Sequence, residues 1–445
     1  MGADLISIAS SGARAAKAAL NITANNISNA SSEGYVRRSV HLSELAANSS
    51  AGSPAAINLA GVRISGIVRN ADAFRQSEVR RTGADAARAN AEVKGLENIE
   101  SAIEATGVYD SIVGFETGLQ QLLSDPVDGS LRASVLERGR SLAQTFNVAS
   151  NSLDAVANGL NFEATDGVST VNRISGELAR VNLRLARASD ASSDQTTLLD
   201  QRDLLLQELS QHIDISTSIG TGGVVSVTIG GPSGPALVNG GNSGTLEMAT
   251  AADGTISFTM DGNPATISSG SLAGQSQALT EVASSRIKLD AIAKSIVDTV
   301  NAAQANGVDL TGATGSPIFS GTGAADMAMI ATSGEQIATA PAGSPAGSRD
   351  PGNLTAIKSA LAAANPAGAM DTLLFGVSSA VAGRAVTRDA LESIASNAKV
   401  ALQAQSGVDL DQEAVNLVRF QQAFQASGRV MQIASDIFDS ILSIR

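Results

Sequence analysis

The sequence contains no cysteine and no tryptophan, and it has only two histidines. Without cysteine the chain has no disulfide, no thiolate metal ligand and no cysteine nucleophile, and it gives no redox clue to its compartment. The histidines, His41 and His212, have no second potential ligand close to them in sequence. We therefore expect neither a metal ion nor another cofactor.

Positive charge is also scarce. The chain has 30 Lys and Arg against 43 Asp and Glu, a formal net charge of −13. Because lysine and arginine supply most of the affinity of proteins for nucleic acid, we expect no nucleic-acid partner. No run approaches the ~18 apolar residues of a membrane-spanning helix, so we expect no membrane insertion. The first residues lack the basic and apolar regions of a cleaved signal peptide, which leaves a cytosolic protein or one exported without cleavage.

Most of the sequence has the apolar periodicity of α-helices. Apolar residues recur at spacings of three and four in most of the first 212 residues and again after residue 280, which predicts amphipathic helices. Between them, the alternation at Val225–Ile229 and Ile256–Met260 predicts strands, and Asp253-Gly254 and Asp261-Gly262 predict tight hairpin turns. The predicted fold is mainly α with inserted β: paired terminal helices forming a coiled coil, an elongated helical-bundle body and a small β domain inserted in the middle.

The same pattern predicts three structural units. The terminal coiled-coil unit comprises residues 1–39 and 403–445. The mainly helical body comprises 40–212, 280–306 and 353–402. The outer β-rich unit comprises 213–279 with part of 307–352, a Gly-, Ala-, Ser- and Pro-rich segment without a clear period.

The C-terminal helix has two adjacent apolar seams. One contains Leu417, Phe420, Phe424, Met431 and Phe438, and the other contains Val430, Ile433 and Ile437. Together they are wider than one partner helix can cover. Periodicity alone leaves three possibilities open: a helix in the protein's own core, burial by neighbouring copies in a polymer, or burial by a separate partner.

The residues around these helices carry a family resemblance. The segments Ala19-Leu-Asn-Ile-Thr-Ala-Asn-Asn-Ile-Ser-Asn-Ala30 and Glu33-Gly-Tyr-Val-Arg-Arg38, with Ser406–Ala414 and Phe420–Ser427, resemble the terminal signatures of flagellar rod, hook and hook-associated proteins. Within that family, the Gly-Tyr-x-Arg form and Leu198-Leu-Asp-Gln-Arg-Asp-Leu-Leu205 are similar to the hook-associated group. Shorter motifs around Leu131-Arg132 and Val300-Asn301 fit the same group.

The resemblance implies a structural subunit of the bacterial flagellum that polymerises at the distal end of the hook and joins hook to filament. Its implied partners are copies of itself, the hook protein below, a second hook–filament junction protein above, and an export chaperone that holds the C-terminal segment. It implies an extracellular location in the flagellum, after type III export without signal cleavage. The N-terminal helix alone would leave the C-terminal helix only marginally stable. We therefore expect both ends of the chain to fold on assembly.

The resemblance and the seams together predict an assembly interface. Its predicted residues are Leu20, Asn25, Asn26, Ile27, Asn29, Gly34, Tyr35, Leu417, Phe420, Phe424, Val430, Met431, Ile437, Phe438 and Ile441. For Asn25, Asn26 and Asn29 two interpretations stay open: helix termination and capping, or bonds to neighbouring subunits.

No catalytic site can be assembled from the sequence, and we expect no enzyme. Glu247, Asp253 and Asp261 are carboxylates in the β region, and solvated turns account for two of them. His212 ends a predicted helix, where a cation is favourable. The alternatives are another rod- or hook-type axial subunit, an axial protein with an enzymatic insertion, and a secreted binding module.

Overall fold

The computed structural model describes residues 2–47 and 58–443. The α-helices within them are α1 Gly2–Ser28, α2 Ala73–Glu104, α3 Val108–Leu122, α4 Gly129–Leu185, α5 Ser193–His212, α6 Ser271–Gln304, α7 Gly352–Ala364, α8 Pro366–Ser406 and α9 Leu410–Ser443. The strands between α1 and α6 are β1 Arg38–Ala47, β2 Asn58–Arg69, β3 Ile215–Ile219, β4 Val225–Ile229, β5 Ala236–Asn239, β6 Asn242–Ser243, β7 Leu246–Thr250, β8 Ile256–Met260 and β9 Asn263–Ala265. Short two-residue strands follow: β10 Gly307–Val308, β11 Phe319–Ser320, β12 Ala328–Met329 and β13 Ala340–Pro341.

The two ends of the chain pack against each other, as the sequence predicts. Helices α1 and α9 lie side by side along their length. Gly12 of α1 lies so close to α9 that a Cβ there would come within 3.1 Å of Ser427 Oγ. The antiparallel hairpin β1–β2 then packs on α1, where Val62 N donates to Ser11 Oγ at 3.1 Å.

The body is built around α4. Its 57 residues extend for about 85 Å, since an α-helix rises ~1.5 Å per residue. Asp128 caps its N-terminus by accepting from the backbone amides of Ser130 and Leu131. The apolar stripes predicted in α2, α3 and the last part of α4 are buried in one continuous core with α5 and α6.

Helix α8 differs from its prediction. Apolar spacing in the sequence predicts one helix near Met370–Val381 and a second whose stripe contains Leu391, Ile394, Ala398 and Ala401. The structure instead forms one helix that begins at Pro366 and lies along α2. Of its predicted second stripe, Ala398 is buried but Ile394 is half exposed. Ion pairs such as Arg384–Glu92 at 2.9 Å contribute to the α8–α2 contact. Because charged residues do not add to an apolar period, the apolar spacing does not reveal that the helix is continuous.

The inserted strands form two small antiparallel sheets, β3-β4-β5-β6 and β7-β8-β9. Both pack on the C-terminal part of α4, and two asparagines of that helix pair with strand backbones. Asn172 exchanges two 2.8 Å bonds with Leu246. Asn182 donates to Val225 O at 2.8 Å and accepts from Val225 N at 2.9 Å. Since these bonds satisfy backbone groups at the start of β4 and on the edge strand β7, they fix both sheets to the helix.

The segment 307–352 packs elsewhere. Arg132, near the opposite end of α4 and only 1% exposed, donates to Gly334 O, Ile337 O and Thr339 Oγ1 at 3.0, 2.9 and 2.7 Å. Arg132 and Asn182 are about 75 Å apart along α4. The predicted grouping of part of 307–352 with 213–279 therefore differs from the observed packing. The segment joins the body because arginine and amide side chains of the helices satisfy its irregular backbone.

Candidate assembly interface at the terminal helices

Helix α1 offers α9 a face of small side chains. Ala9, Ala13, Ala16 and Ala19 are buried, with Thr23 continuing the same stripe. Alanines at this spacing let the two helix backbones approach closely. They also bury little apolar area, so α1 alone stabilises α9 only modestly.

One seam of α9 meets this alanine stripe. Ala434 is buried, and Leu417, Phe420, Ser427 and Met431 are partly buried. Two further members of the predicted interface, Phe424 and Phe438, lie at the edge of the seam and remain 42% and 48% exposed. The side chain of Ile441 lies outside the described residues.

The second seam of α9 stays exposed. Val430, Ile433 and Ile437 are 44%, 58% and 44% exposed, and Val415 and Val418 are exposed nearer to the start of the helix. We call these five residues the outer seam. Isolated exposed apolar residues are ordinary on protein surfaces, but a group such as Val430, Ile433 and Ile437 on one helix indicates an interaction surface.

The loop after α1 is held by Asn26, which is 1% exposed. Its Nδ2 donates to Arg38 O at 2.9 Å, and its Oδ1 accepts from Arg38 N at 3.1 Å and from Tyr35 Oη at 2.8 Å. Burial raises the pKa of the Tyr35 phenol, so the hydroxyl stays protonated and donates. Gly34, with φ +75°, supplies the left-handed turn that this arrangement requires.

The other asparagines act locally. Asn25 Nδ2 donates to Asn21 O at 2.8 Å and Asn29 Nδ2 donates to Asn25 O at 2.9 Å, which satisfies carbonyls in the last turns of α1. Leu20 and Ile27 are partly buried. Asn26 thus acts within the subunit, while Asn25 remains exposed on its surface.

A buried ionic cluster that sequence reasoning missed attaches the hairpin to the body. Asp200 accepts from Arg38 at 2.7 Å and from Arg69 at 2.8 Å. Asp203 accepts from Arg69 at 2.8 Å and from Arg202 at 2.6 Å. Burial alone would raise the pKa of Asp203, but Arg202 and Arg69 outweigh it and hold that pKa below its usual value. The cluster joins the two motifs that carry the family resemblance, Glu33–Arg38 and Leu198–Leu205.

The same loop contacts the start of α9. Arg37 N donates to Ser406 O at 3.0 Å, and the Arg37 guanidinium lies 3.9 Å from the buried carboxylate of Glu413. Asp409 caps α9 by accepting from the backbone amides of Asp411 and Gln412 at 3.0 and 3.1 Å. The position of the terminal helix pair relative to the body is therefore set by residues 35–38 and 406–413.

A cavity of about 570 Å³ lies beside this joint. Its walls are the loop 30–36, one face each of α2 and α5, and residues 399–408 at the end of α8. The polar side chains at this cavity include Glu33, Asp203, Arg80, Lys399 and Ser406.

His212 corrects one prediction. It is partly buried at the end of α5, where its Nδ1 lies 3.4 Å from Ser271 Oγ. Burial lowers the pKa of His212. The ring is thus less readily protonated than an exposed histidine, which disfavours the cation that the sequence predicts at this helix end.

Within residues 2–47 and 58–443 no group of three or more His, Asp or Glu is arranged to hold a metal ion. No described helix is long and apolar enough to cross a membrane.

Comparison with known proteins identifies its family. The flagellar hook-associated protein FlgK helical domain matches residues 93–319, half of the chain. The flagella basal body rod protein family matches residues 6–35, and the flagellar basal body rod FlgEFG protein C-terminal family matches residues 402–444. These matches cover much of the body and most of both terminal helices.

Individual relatives agree with the family match. Flagellar hook-associated protein 1 of Bacillus subtilis (strain 168) is 26% identical, over 96% of this chain and 96% of its own length. The Salmonella typhimurium protein of the same name is 28% identical over 71% of this chain, which spans 59% of that relative. The structure of the flagellar hook junction protein FlgK from Burkholderia pseudomallei shares the fold, with a TM-score of 0.50 at 23% identity, over 55% of this chain and 46% of that one.

These findings confirm the predicted fold class and the predicted role as a flagellar structural subunit that joins hook to filament. The relatives are structural flagellar proteins. The chain belongs to the family of flagellar hook-associated protein 1.

Proposed function

We propose that the chain joins hook to filament by polymerising through its terminal helices at the distal end of the hook. The observation that carries this proposal is the outer seam of α9, which stays exposed although α1 covers the other seam. Neighbouring copies of the same helix pair would bury it. Fully burying one Val or Ile side chain contributes roughly 1.5–3 kcal/mol, so five such residues provide a substantial driving force for assembly.

The position of the subunit between hook and filament determines its other proposed partners. The hook protein would contact it on one side and a second junction protein on the other. The β sheets would lie outermost in the axis. They pack on the end of α4 nearer to the terminal helices, where Arg80 beside the joint donates to Thr217 of β3. We assign 1–39 and 403–445 to the assembly unit, and we now place 307–352 with the body.

We also propose that the β region is structural and that the chain is not an enzyme. Asp253 accepts from Thr255 N at 3.0 Å, and Asp261 accepts from Thr245 N at 2.8 Å. Each carboxylate thus serves a turn or strand end. Glu247 lies on β7 opposite Thr259. This placement supports the interpretation of these residues as elements of hairpins.

The route to the flagellum is part of the proposal. The subunit would leave the cell through the flagellar type III channel without signal cleavage. A cytosolic chaperone would hold the C-terminal segment beforehand and cover the apolar surface that neighbouring subunits bury after assembly. Such a chaperone would prevent aggregation, because large exposed apolar surfaces favour association with other proteins.

Deletion of residues 407–445 tests the proposal in cells. It removes α9 and leaves the body core intact. We expect complete hooks, no filaments, and flagellin released into the medium. Normal filaments on the deletion strain would rule out the junction role, and incomplete hooks would instead favour a rod- or hook-type subunit.

A further inference from the structure

The exposed side of α9 carries charged residues as well as the outer seam. Val418 and Val430, the two inner members of the seam, are separated by about three helical turns. The residues that fill this interval on the same side are mostly polar. Steps of three and four residues keep to one side of an α-helix. Such steps lead along exposed positions through Asp411, Val415, Arg419, Gln422, Ala426, Arg429, Ile433 and Asp436.

The charged and apolar residues on this side form two groups with opposite orders of charge. In the first group an acid precedes the apolar residues and an arginine follows them. In the second group an arginine precedes the apolar residues and an acid follows most of them. The first group is Asp411, Val415, Val418 and Arg419, and the second is Arg429, Val430, Ile433, Asp436 and Ile437.

The four charged side chains of the two groups have no ionic partner within the subunit. Asp411, Arg419, Arg429 and Asp436 are exposed and form no ion pair with another residue of the described ranges. Arg419 lies over the ring of its neighbour Phe420 instead, 5.6 Å from the ring centroid. Because water solvates these charges in the isolated subunit, they stay available for contact with another protein.

We propose that the first group of one copy binds the second group of the next, with the two α9 helices parallel and shifted by 17 or 18 residues. This inference rests on the proposed polymerisation through the terminal helices. The shift places Asp436 of one copy level with Arg419 of the next, and Arg429 level with Asp411. Ile433 lies level with Val415 in the same register. The corresponding displacement along the helix axis is about 26 Å.

Charge complementarity selects this register over its competitors. Without a shift, each arginine lies beside the same arginine of the neighbour and each acid beside the same acid, and such like-charge contacts are costly. A shift of seven residues would bring Asp436 level with Arg429, but it would also place Val415 level with Gln422. Of these three registers, only the longest shift pairs opposite charges and also places apolar residues of the seam beside each other.

The parallel orientation follows from the need to polymerise. A contact that joins two different groups is heterologous, so each added copy offers a free group to the next one. An antiparallel contact of one group with the same group of a neighbour would close on two copies. In the proposed register every copy uses its first group toward one neighbour and its second group toward the other, and both contacts bury part of the outer seam.

Disulfide crosslinking in assembled flagella tests the register, because the chain contains no cysteine of its own. We would introduce Val415→Cys and Ile433→Cys together in the full chain. These positions are about 27 Å apart within one helix, too far for a disulfide inside one subunit. After oxidation, we expect a ladder of dimers and larger oligomers on a non-reducing gel of isolated flagella.

Two matched variants distinguish the other registers. Ile433→Cys alone links copies only if equal residues lie level, and Val430→Cys with Ile437→Cys reports a shift of seven residues. Neither should give a ladder or a dimer. The proposal is wrong if either of them crosslinks in place of the Val415 and Ile433 pair, or if that pair gives no ladder in assembled flagella.

Charge reversal gives a readout that does not depend on a disulfide. Arg419→Asp should lower the fraction of hooks that carry filaments several-fold, because it places two acids level with each other. Adding Asp436→Arg should restore attachment, whereas adding Asp411→Arg should not. Since Arg419 is exposed and unpaired in the subunit, the purified variant should keep the thermal midpoint of the wild type. Arg180→Asp, at an exposed position of α4, is the matched control and should retain filaments.

The outcomes separate this inference from the junction role. Normal attachment in Arg419→Asp, or rescue by Asp411→Arg in place of Asp436→Arg, would contradict the register. If the register fails while deletion of residues 407–445 still abolishes filaments, the junction role stands. Normal filaments after that deletion would overturn both.

Discussion

The carboxylate of Asp200 lies 2.7 Å from the guanidinium of Arg38, although the two residues are 162 positions apart in the chain. Arg38 and Arg69 are directly opposite in the β1–β2 hairpin. Like charges directly opposite in a hairpin repel each other, and the carboxylate of Asp200 offsets this repulsion because it binds Arg38 and Arg69 together. A carboxylate of α5 is thus what allows the base of the hairpin to close on the body.

Replacement of Asp200 should be strongly destabilising. Asp200→Asn removes the charge and leaves two arginines facing each other in a mostly buried cluster. Breaking a buried ion pair costs roughly 3–5 kcal/mol, and we expect the lower part of this range because the site retains some solvent access. Urea unfolding followed by circular dichroism measures the loss.

Asp298→Asn is the matched control for this variant. Asp298 pairs with Lys294 at 2.6 Å on an exposed helix surface. An exposed pair of this kind contributes at most about 1 kcal/mol. Equal losses in the two variants would refute the structural importance of the Arg38–Asp200 contact.

Asn26 and Asn25 provide a second matched pair. Asn26→Ala removes three hydrogen bonds that fix Tyr35 and Arg38 and leaves buried groups unsatisfied, so we expect a loss of roughly 2–3 kcal/mol. Asn25→Ala removes one exposed bond to Asn21 O and should change stability by under about 0.5 kcal/mol. Thermal unfolding of the two purified variants distinguishes them. If Asn25→Ala abolishes filament attachment while remaining stable, its predicted role at the subunit interface is supported.

The outer seam can be tested without removing α9. Ile433→Gln with Ile437→Gln changes two exposed apolar residues, so the isolated subunit should keep its helix content and thermal midpoint. Assembly should fail, because the apolar surface that neighbours would bury becomes polar. Motility agar and electron microscopy of hooks report the outcome. Gln425→Ala with Gln432→Ala, at exposed polar positions of the same helix, should retain filaments.

Acid sensitivity should arise partly from His212. Burial lowers its pKa in the folded state below the ordinary value of 6.5, so the unfolded chain binds a proton that the folded chain does not. The stabilisation from the neutral ring is complete above pH 6.5 and is lost as pH falls through the lowered pKa. The free energy of unfolding, measured between pH 8 and 5, should therefore fall more for the wild type than for His212→Gln. A His41→Gln variant, which leaves His212 in place, should follow the wild type.

The sequence predicted which face of a helix is buried better than it predicted which distant residues are in contact. The buried residues Leu96, Ile99 and Ile103 recur at helical spacing, so their burial follows from periodicity alone. The Arg38–Asp200 contact has no such signal, since charged residues at distant positions show no period. The segment 307–352 escaped prediction for a related reason. Its packing depends on side chains such as Arg132 bonding to irregular backbone, which leaves no repeating pattern in the sequence.

The terminal helices should be the first part of the isolated subunit to be digested. The α1 face that covers α9 consists mainly of alanines such as Ala13 and Ala16, which bury little area. Local unfolding begins where few apolar contacts must be broken. Brief digestion of the purified monomer should therefore remove roughly the first 40 and last 40 residues and leave the core around α4 intact, as mass spectrometry of the fragments would show. Subunits within assembled flagella should resist the same treatment, because neighbours bury the outer seam. Ends that are equally resistant in the monomer would contradict folding on assembly.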